Sequence, residues 1–228
     1  GRFAARLLSD LGHEVTVYDK GRRASGRLSD RTASDGTPFQ MGAPRVEGWP
    51  SWAERHVQDW IERGYLDVDG EHPVVTLPPL LDHLGEGLNV RQLHRVDGLE
   101  ATPEGARLRI ISPNGPLEVN HDHVLVAAPL EQSRALLETA GIHVEGRSEA
   151  CWVAWGPAPD HAIEPPAGWT LTRRGQDRAT LEVRLDPEQS AADLERSLPD
   201  MAVVVATTLG LDPDLSLIHI SEPTRQHW

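Results

Sequence analysis

The sequence predicts an α/β fold built from two interleaved parts, and three stretches carry that expectation. Ala4, Ala5, Leu7, Leu8 and Leu11 recur at helical spacing, Gly12 follows as a stop, and His13–Tyr18 is a β-rich run ending at Asp19. A helix closed by glycine and followed at once by a strand is the second half of a βαβ unit. Residues 90–127 then read as a mixed β region, and helix–strand alternation returns beyond Pro129. The order α/β, mixed β, α/β suggests two parts that exchange the chain rather than follow one another.

The elements fall in order. Residues 21–48 are rich in Gly, Arg, Ser and Asp, show little periodicity and read as a long loop. Trp49, Trp52, Ala53, Val57, Trp60 and Ile61 lie on one helical face, an aromatic stripe whose expected role is core packing. Leu77–Leu88 reads as a helix after Pro78-Pro79. Strands are expected at Val90–Leu93, Val96–Ala101, Ala106–Ile111, Leu117–Val119 and His123–Ala127. Pro103-Glu104-Gly105 and Pro113-Asn114-Gly115 supply hairpin signals between them. A helix follows at Pro129–Ala140, then strands at Ala150–Trp155, Trp169–Thr172 and Ala179–Leu185, and helices at Gln189–Leu198 and Met201–Leu209.

Bulk properties narrow the function. With 228 residues, 39% hydrophobic and 25% charged, the chain can bury a sizeable core. A formal net charge of -13 argues against nucleic acid as the main partner, because phosphate binding needs concentrated positive charge. No apolar run is long enough to span a membrane, and the expected location is the cytoplasm. Cys151 is the single cysteine, so no disulfide forms within the chain, and its setting reads as a buried strand position. His121 and His123 would share a face of a strand, but no Asp, Glu or Cys cluster completes a metal site, and a solvated strand start is expected.

The chemistry points to Gly1–Arg27. In a dinucleotide-binding βαβ unit, glycines let the backbone approach the pyrophosphate, the helix N-terminus donates N–H groups to it, and an acidic residue ending the second strand takes the ribose. Gly1 stands where the third glycine would be and Asp19 ends the strand; the first strand and first two glycines are missing. An αβ unit with a solvated Asp at a strand end is the plain alternative. The continuation Asp19-Lys20-Gly21-Arg22-Arg23-Ala24-Ser25-Gly26-Arg27 resembles the acid–loop–Gly-Gly-Arg stretch of flavoproteins that bind FAD in the glutathione-reductase manner. In those proteins the Gly-Arg pair lies under the pyrophosphate, where Arg offers a fork of donors matched to phosphate oxygens. Ser25 replaces the first Gly of that pair.

Three further segments are similar to the renalase-like NAD(P)/FAD-dependent oxidoreductases, relatives of the flavin amine oxidases. Asp35–Ala43 resembles the segment passing beside the flavin. Val90–Leu99, with Val96, resembles the strand pair whose Val backbone contacts adenine. Val124–Pro129, with Gln132, Leu136 and Leu137, resembles the return to the FAD domain. Gln40-Met41 departs from that family's Asp-His, and Pro44-Arg45 from its aromatic pair, which puts substrate contacts and flavin tuning in doubt.

The resemblance implies a Rossmann-like FAD-binding domain at 1–48 and 88–140, interleaved with a mixed α+β substrate domain at 49–87 and 141–214, both incomplete. It implies FAD bound by Gly1, Asp19, Lys20, Gly26, Arg27, Gly42, Ala43, Val96 and Ala127, with no metal and no assigned catalytic side chain. The implied reaction passes a hydride from an amine-like or dihydronicotinamide-like donor to the flavin, and electrons on to oxygen. The implied partners are small molecules, one of them NAD(P)H-like. Alternatives are a flavin desaturase, a nicotinamide-only Rossmann protein, or a non-catalytic fragment; the enzyme activity is expected of the parent, and the fragment itself is expected to be inactive. Residues 215–225 resemble one reading frame of a transposase adapter used in preparing DNA for sequencing, so 215–228 is expected to be a non-native tail on a fragment of a longer parent.

Overall fold

The computed structural model describes residues 1–22, 30–32, 38–40, 51–69, 72–75, 79–149, 151–157, 164–174, 178–184, Thr207 and 225–227. In chain order the elements are α1 (Arg2–Asp10), β1 (Thr16–Asp19), β2 (Asp30–Thr32), β3 (Pro38–Gln40), a 3-10 turn (Ser51–Ala53) leading into α2 (Glu54–Glu62), β4 (Leu66–Asp69), β5 (His72–Val75), α3 (Pro79–Gly85), β6 (Asn89–Gln92), β7 (Arg95–Thr102), β8 (Gly105–Ser112), β9 (Gly115–His121), α4 (Leu130–Glu138), β10 (Arg147–Glu149), β11 (Cys151–Pro157), β12 (Trp169–Arg174), β13 (Arg178–Arg184) and β14 (Arg225–His227). The chain divides into two compact units: Gly1–Gly26, Leu81–Ser148 and Gln226–Trp228 form the first, and Arg27–Leu80 with Glu149–Arg225 the second.

The first unit starts as its sequence directs. α1 buries Ala5, and its end is closed by Gly12 at φ +88°, a left-handed conformation that glycine adopts without a Cβ penalty. The chain then runs straight into β1, which pairs in parallel with β6 in the register Thr16↔Asn89 to Asp19↔Gln92. Parallel neighbours need a long crossover, and here the whole stretch Arg27–Leu80 of the second unit lies between them.

β7, β8 and β9 form an antiparallel meander with the two expected turns, and Gly105 and Gly115 adopt positive φ there. Leu99, Leu108 and Ile110 are its buried centre, covered by Tyr18, Leu136, Leu137 and Ala140 among others. The outer edge of β7 is closed at Leu99 by a side chain: Leu99 N–H donates to Thr139 Oγ1 at 2.8 Å, and that oxygen lies 3.0 Å from the Leu99 carbonyl. The hydroxyl thus stands in for a missing strand neighbour. It has one proton, and it shares that proton between Leu99 O and Leu136 O, 2.7 Å away. Thr139→Val is therefore expected to destabilise this unit by about 1 kcal/mol, and Thr139→Ser to restore most of it. Urea unfolding checks both; equal midpoints for Val and wild type would show the contact to be dispensable.

The second unit holds the β4–β5 and β2–β3 hairpins, α2, and a three-stranded antiparallel sheet ordered β11-β13-β12. Leu181 and Val183 on one face of β13 and Glu182 on the other are all buried, so this central strand is covered on both sides. Ala53, Val57 and Trp60 are buried as the stripe predicts, but Trp52 is 58% exposed.

Other expectations need correction. Residues 21–48 are not all loop, because β2 pairs with β3 from Asp30↔Gln40 to Thr32↔Pro38. The β4–β5 hairpin was not foreseen, since only two ladder steps, Leu66↔Val75 and Val68↔Pro73, show its apolar side. Residues 123–127 form no strand. Among the described residues no strand pairs with them, and an apolar run becomes a strand only where its N–H and C=O groups are paired. The expected helices at 189–198 and 201–209 fall outside the described residues apart from Thr207, as does the tail except for β14, which pairs with β10. Among the described residues no helix is long and apolar enough to cross a membrane.

Candidate nucleotide-binding site

The site grows from the ends of two paired strands. β1 and β6 run parallel, so Asp19 and Gln92 end side by side and the turns after them meet. One oxygen of the Asp19 carboxylate, Oδ1, accepts the Gly21 N–H at 2.8 Å, a local turn that Asp side chains favour. The backbone carbonyl of Asp19 accepts His94 N–H at 2.9 Å, and the Gly21 carbonyl accepts Leu93 N–H at 3.2 Å. These bonds hold Asp19 half-buried at the carboxyl end of β1. Its second oxygen, Oδ2, has no hydrogen bond among the described residues.

Tyr18 anchors this strand end from behind. Its hydroxyl lies 3.1 Å from His121 Nε2 at the end of β9, and its ring packs edge-on to His121 at 5.8 Å and tilted to His94 at 6.2 Å. Partial burial pushes the Tyr18 phenol up from its ordinary value, against the opposing effect of Arg91, so the hydroxyl stays protonated. His94 Nδ1 donates to the Gln92 carbonyl at 2.7 Å, which fixes its tautomer.

The other wall is the start of α1. A Cβ built on Gly1 would meet the Ala127 Cβ at 3.6 Å, an ordinary contact, so the structure brings together two residues the sequence had singled out 126 positions apart. α1 is tied to α3 and the turn after it by its arginines: Arg2 Nη1 donates to the Leu81 carbonyl at 2.7 Å, and Arg6 to the Glu86 carbonyl.

Lys20 is exposed beside Asp19, and Val96 is partly buried on the meander core. Gly26, Arg27, Gly42 and Ala43 lie outside the described residues. His121 and His123 do not share a strand face, because β9 ends at His121. Sequence reasoning missed Tyr18, Leu93 and the bonding role of His121. Tyr18 and His121 are 103 residues apart, and nothing local marks them as partners.

Residues 1–62 match the family described as NAD(P)-binding Rossmann-like domain. The fold is α/β with a Rossmann-like part. Solved structures extend the likeness to nearly the whole chain. CabE, an aromatic hydroxylase from angucycline biosynthesis, aligns over 99% of this chain and 51% of its own, at 14% identity and a TM-score of 0.59. CmlS, a flavin-dependent halogenase, aligns over 100% and 48%, at 15% identity and a TM-score of 0.60. Aklavinone-11 hydroxylase, solved with FAD and aklavinone, aligns over 99% and 51%, at 17% identity and a TM-score of 0.56. At such identities the likeness is one of fold, and the chain spans about half the length of each. No curated protein matches the chain.

Proposed function

We propose that this chain is part of an FAD-dependent oxidoreductase, with the Rossmann-like unit holding the adenosine half of the cofactor. The observation that carries the reading is Asp19: a carboxylate fixed at the carboxyl end of a parallel strand, the first after α1, with no hydrogen bond to Oδ2 among the described residues. That acceptor fits a ribose diol, whose hydroxyls donate to a carboxylate. Gly1 at the start of α1 places backbone N–H groups near where a pyrophosphate would follow. On this reading Gly26 and Arg27 take the pyrophosphate, Val96 lies by the adenine, and Gly42, Ala43 and Ala127 line the path to the flavin.

FAD, when bound, supplies the hydride acceptor; the chain's own part is to bind, orient and exclude water. The renalase-like segments suggest an amine-like donor. The hydroxylases and the halogenase among the structural neighbours favour the dihydronicotinamide-like donor, with a small molecule as the substrate and oxygen as the final acceptor. Fluorescence titration of the chain with FAD and with FMN tests the reading. The expected result is binding of FAD and at least tenfold weaker binding of FMN, which lacks the adenosine that Asp19 holds, a difference of about 1.4 kcal/mol or more. Equal affinities, or no affinity for FAD, would remove the assignment.

A further inference from the structure

We propose that the Asn114–Gly115 link, at the corner between β8 and β9, is a site of spontaneous deamidation, and that the Ser112 hydroxyl sets its rate. This does not rest on the cofactor reading. The chain has three asparagines, Asn89, Asn114 and Asn120. Asn89 and Asn120 lie within paired strands, and each is followed by a residue with a branched or ring side chain, Val90 and His121. The Asn89 amide also donates to Thr16 Oγ1 at 3.1 Å. Asn114 is different. It is exposed in the two-residue loop between Ser112 and Gly115, which face each other across the ladder. A Cβ built on Gly115 would meet nothing within 4 Å. The Gly115 nitrogen thus has neither a side chain of its own nor a neighbour on that side to hinder an approaching group.

The approaching group is the side chain of Asn114 itself, and attack within one residue has the advantage of proximity. Solvent base takes the Gly115 amide proton, and the nitrogen attacks Asn114 Cγ. The N–Cγ bond forms, the Cγ–Nδ2 bond breaks, and Nδ2 leaves as ammonia with a proton returned by solvent. Water then opens the cyclic imide. Attack at Cγ leaves aspartate, and attack at the main-chain carbonyl carbon leaves isoaspartate, whose main chain runs through Cβ. One water is consumed for each ammonia released, and no electrons are transferred.

Ser112 restrains the rotation this needs. Its Oγ accepts the Asn114 N–H at 3.2 Å and donates to the Gly115 carbonyl at 2.8 Å. The two bonds straddle the Cα–C bond of Asn114, and turning that bond is what carries the Gly115 nitrogen onto Cγ. The hydroxyl is therefore a brake on ring closure. The product bears on the fold, because isoaspartate adds a main-chain carbon to a two-residue loop and pulls against the pairs Ser112↔Gly115 and Ile110↔Leu117.

The test keeps the 228-residue chain and the variants Ser112→Ala, Ser112→Thr and Asn114→Gln at mildly alkaline pH, with samples digested at intervals. Peptide mass mapping should show amide-to-acid conversion at Asn114 well ahead of Asn89 and Asn120. Labelling by an isoaspartyl methyltransferase should mark the same peptide, and Asn114→Gln should lose that label. Ser112→Ala should convert about fivefold faster, the rate equivalent of one ordinary hydrogen bond, and Ser112→Thr at the wild-type rate. Asn89 and Asn120 report on unfolding: if Ser112→Ala speeds all three alike, the fold has loosened and the hydroxyl is no brake. If Asn114 converts no faster than the other two in the unsubstituted chain, the site itself is wrong.

Discussion

Ile110→Ala will destabilise the first unit by about 3 kcal/mol or more, the upper part of the range for removing a buried aliphatic side chain. Ile110 is 1% exposed in the middle of β8, and strands β7 and β9 pair on either side of it. Its core-facing neighbours Leu99 and Leu108 belong to paired strands that cannot move inward without breaking their ladders. The space left by the removed carbons therefore persists as a cavity rather than collapsing. A loss of that size is a large share of the roughly 5–15 kcal/mol that holds a domain folded. The tryptophans give a clean readout: Trp49, Trp52, Trp60, Trp152, Trp155 and Trp169 all lie in the second unit, and only Trp228 in the first. Far-UV circular dichroism should show an earlier urea transition, while tryptophan fluorescence should move less. A shift below about 1 kcal/mol would mean the meander is not the core of this unit.

Asp19→Ala will weaken ADP binding by about 10- to 100-fold, as expected when a charge-assisted hydrogen bond of roughly 1.5–3 kcal/mol is lost. Two effects act together, and they can be separated. Asp19 Oδ2 would lose its ribose partner, and Oδ1 would release the Gly21 N–H that shapes the turn. Asp19→Asn keeps an acceptor for Gly21 but carries no charge, so it should fall between wild type and Ala. Isothermal calorimetry with ADP checks the series. If all three bind ADP equally, the carboxylate does not face the nucleotide. If Asn is as weak as Ala while both unfold like wild type, the charge rather than the turn carries the affinity.

Local rules made much of this legible. Helical spacing and Gly12 marked α1, and β-branched alternation marked β1. Proline–glycine turns marked both corners of the meander, because a tight corner needs a residue that tolerates positive φ. Asp19 was legible as the end of β1, because the β-rich run stops there.

Pairing was less legible, because it depends on which edges meet. Val124–Ala127 has the composition of a strand yet forms none, while Asp30–Thr32 and Pro38–Gln40, polar and turn-rich in context, do pair. Composition sets how well a segment would fit a sheet; a neighbour's free N–H and C=O groups decide whether it joins one.

By itself, then, the sequence determined the helix–strand start, the hairpin corners, the acidic net charge and the carboxylate at the end of β1, since each depends on residues within one or two turns of chain. Tertiary structure alone decided what surrounds that carboxylate. The β1–β6 pairing places Leu93 and His94 against Gly21 and Asp19 across some seventy positions, and the folding of the meander brings His121 to Tyr18. Those contacts arise from the closure of long loops, whose cost is met only when a shared core forms, so no short window of sequence contains them.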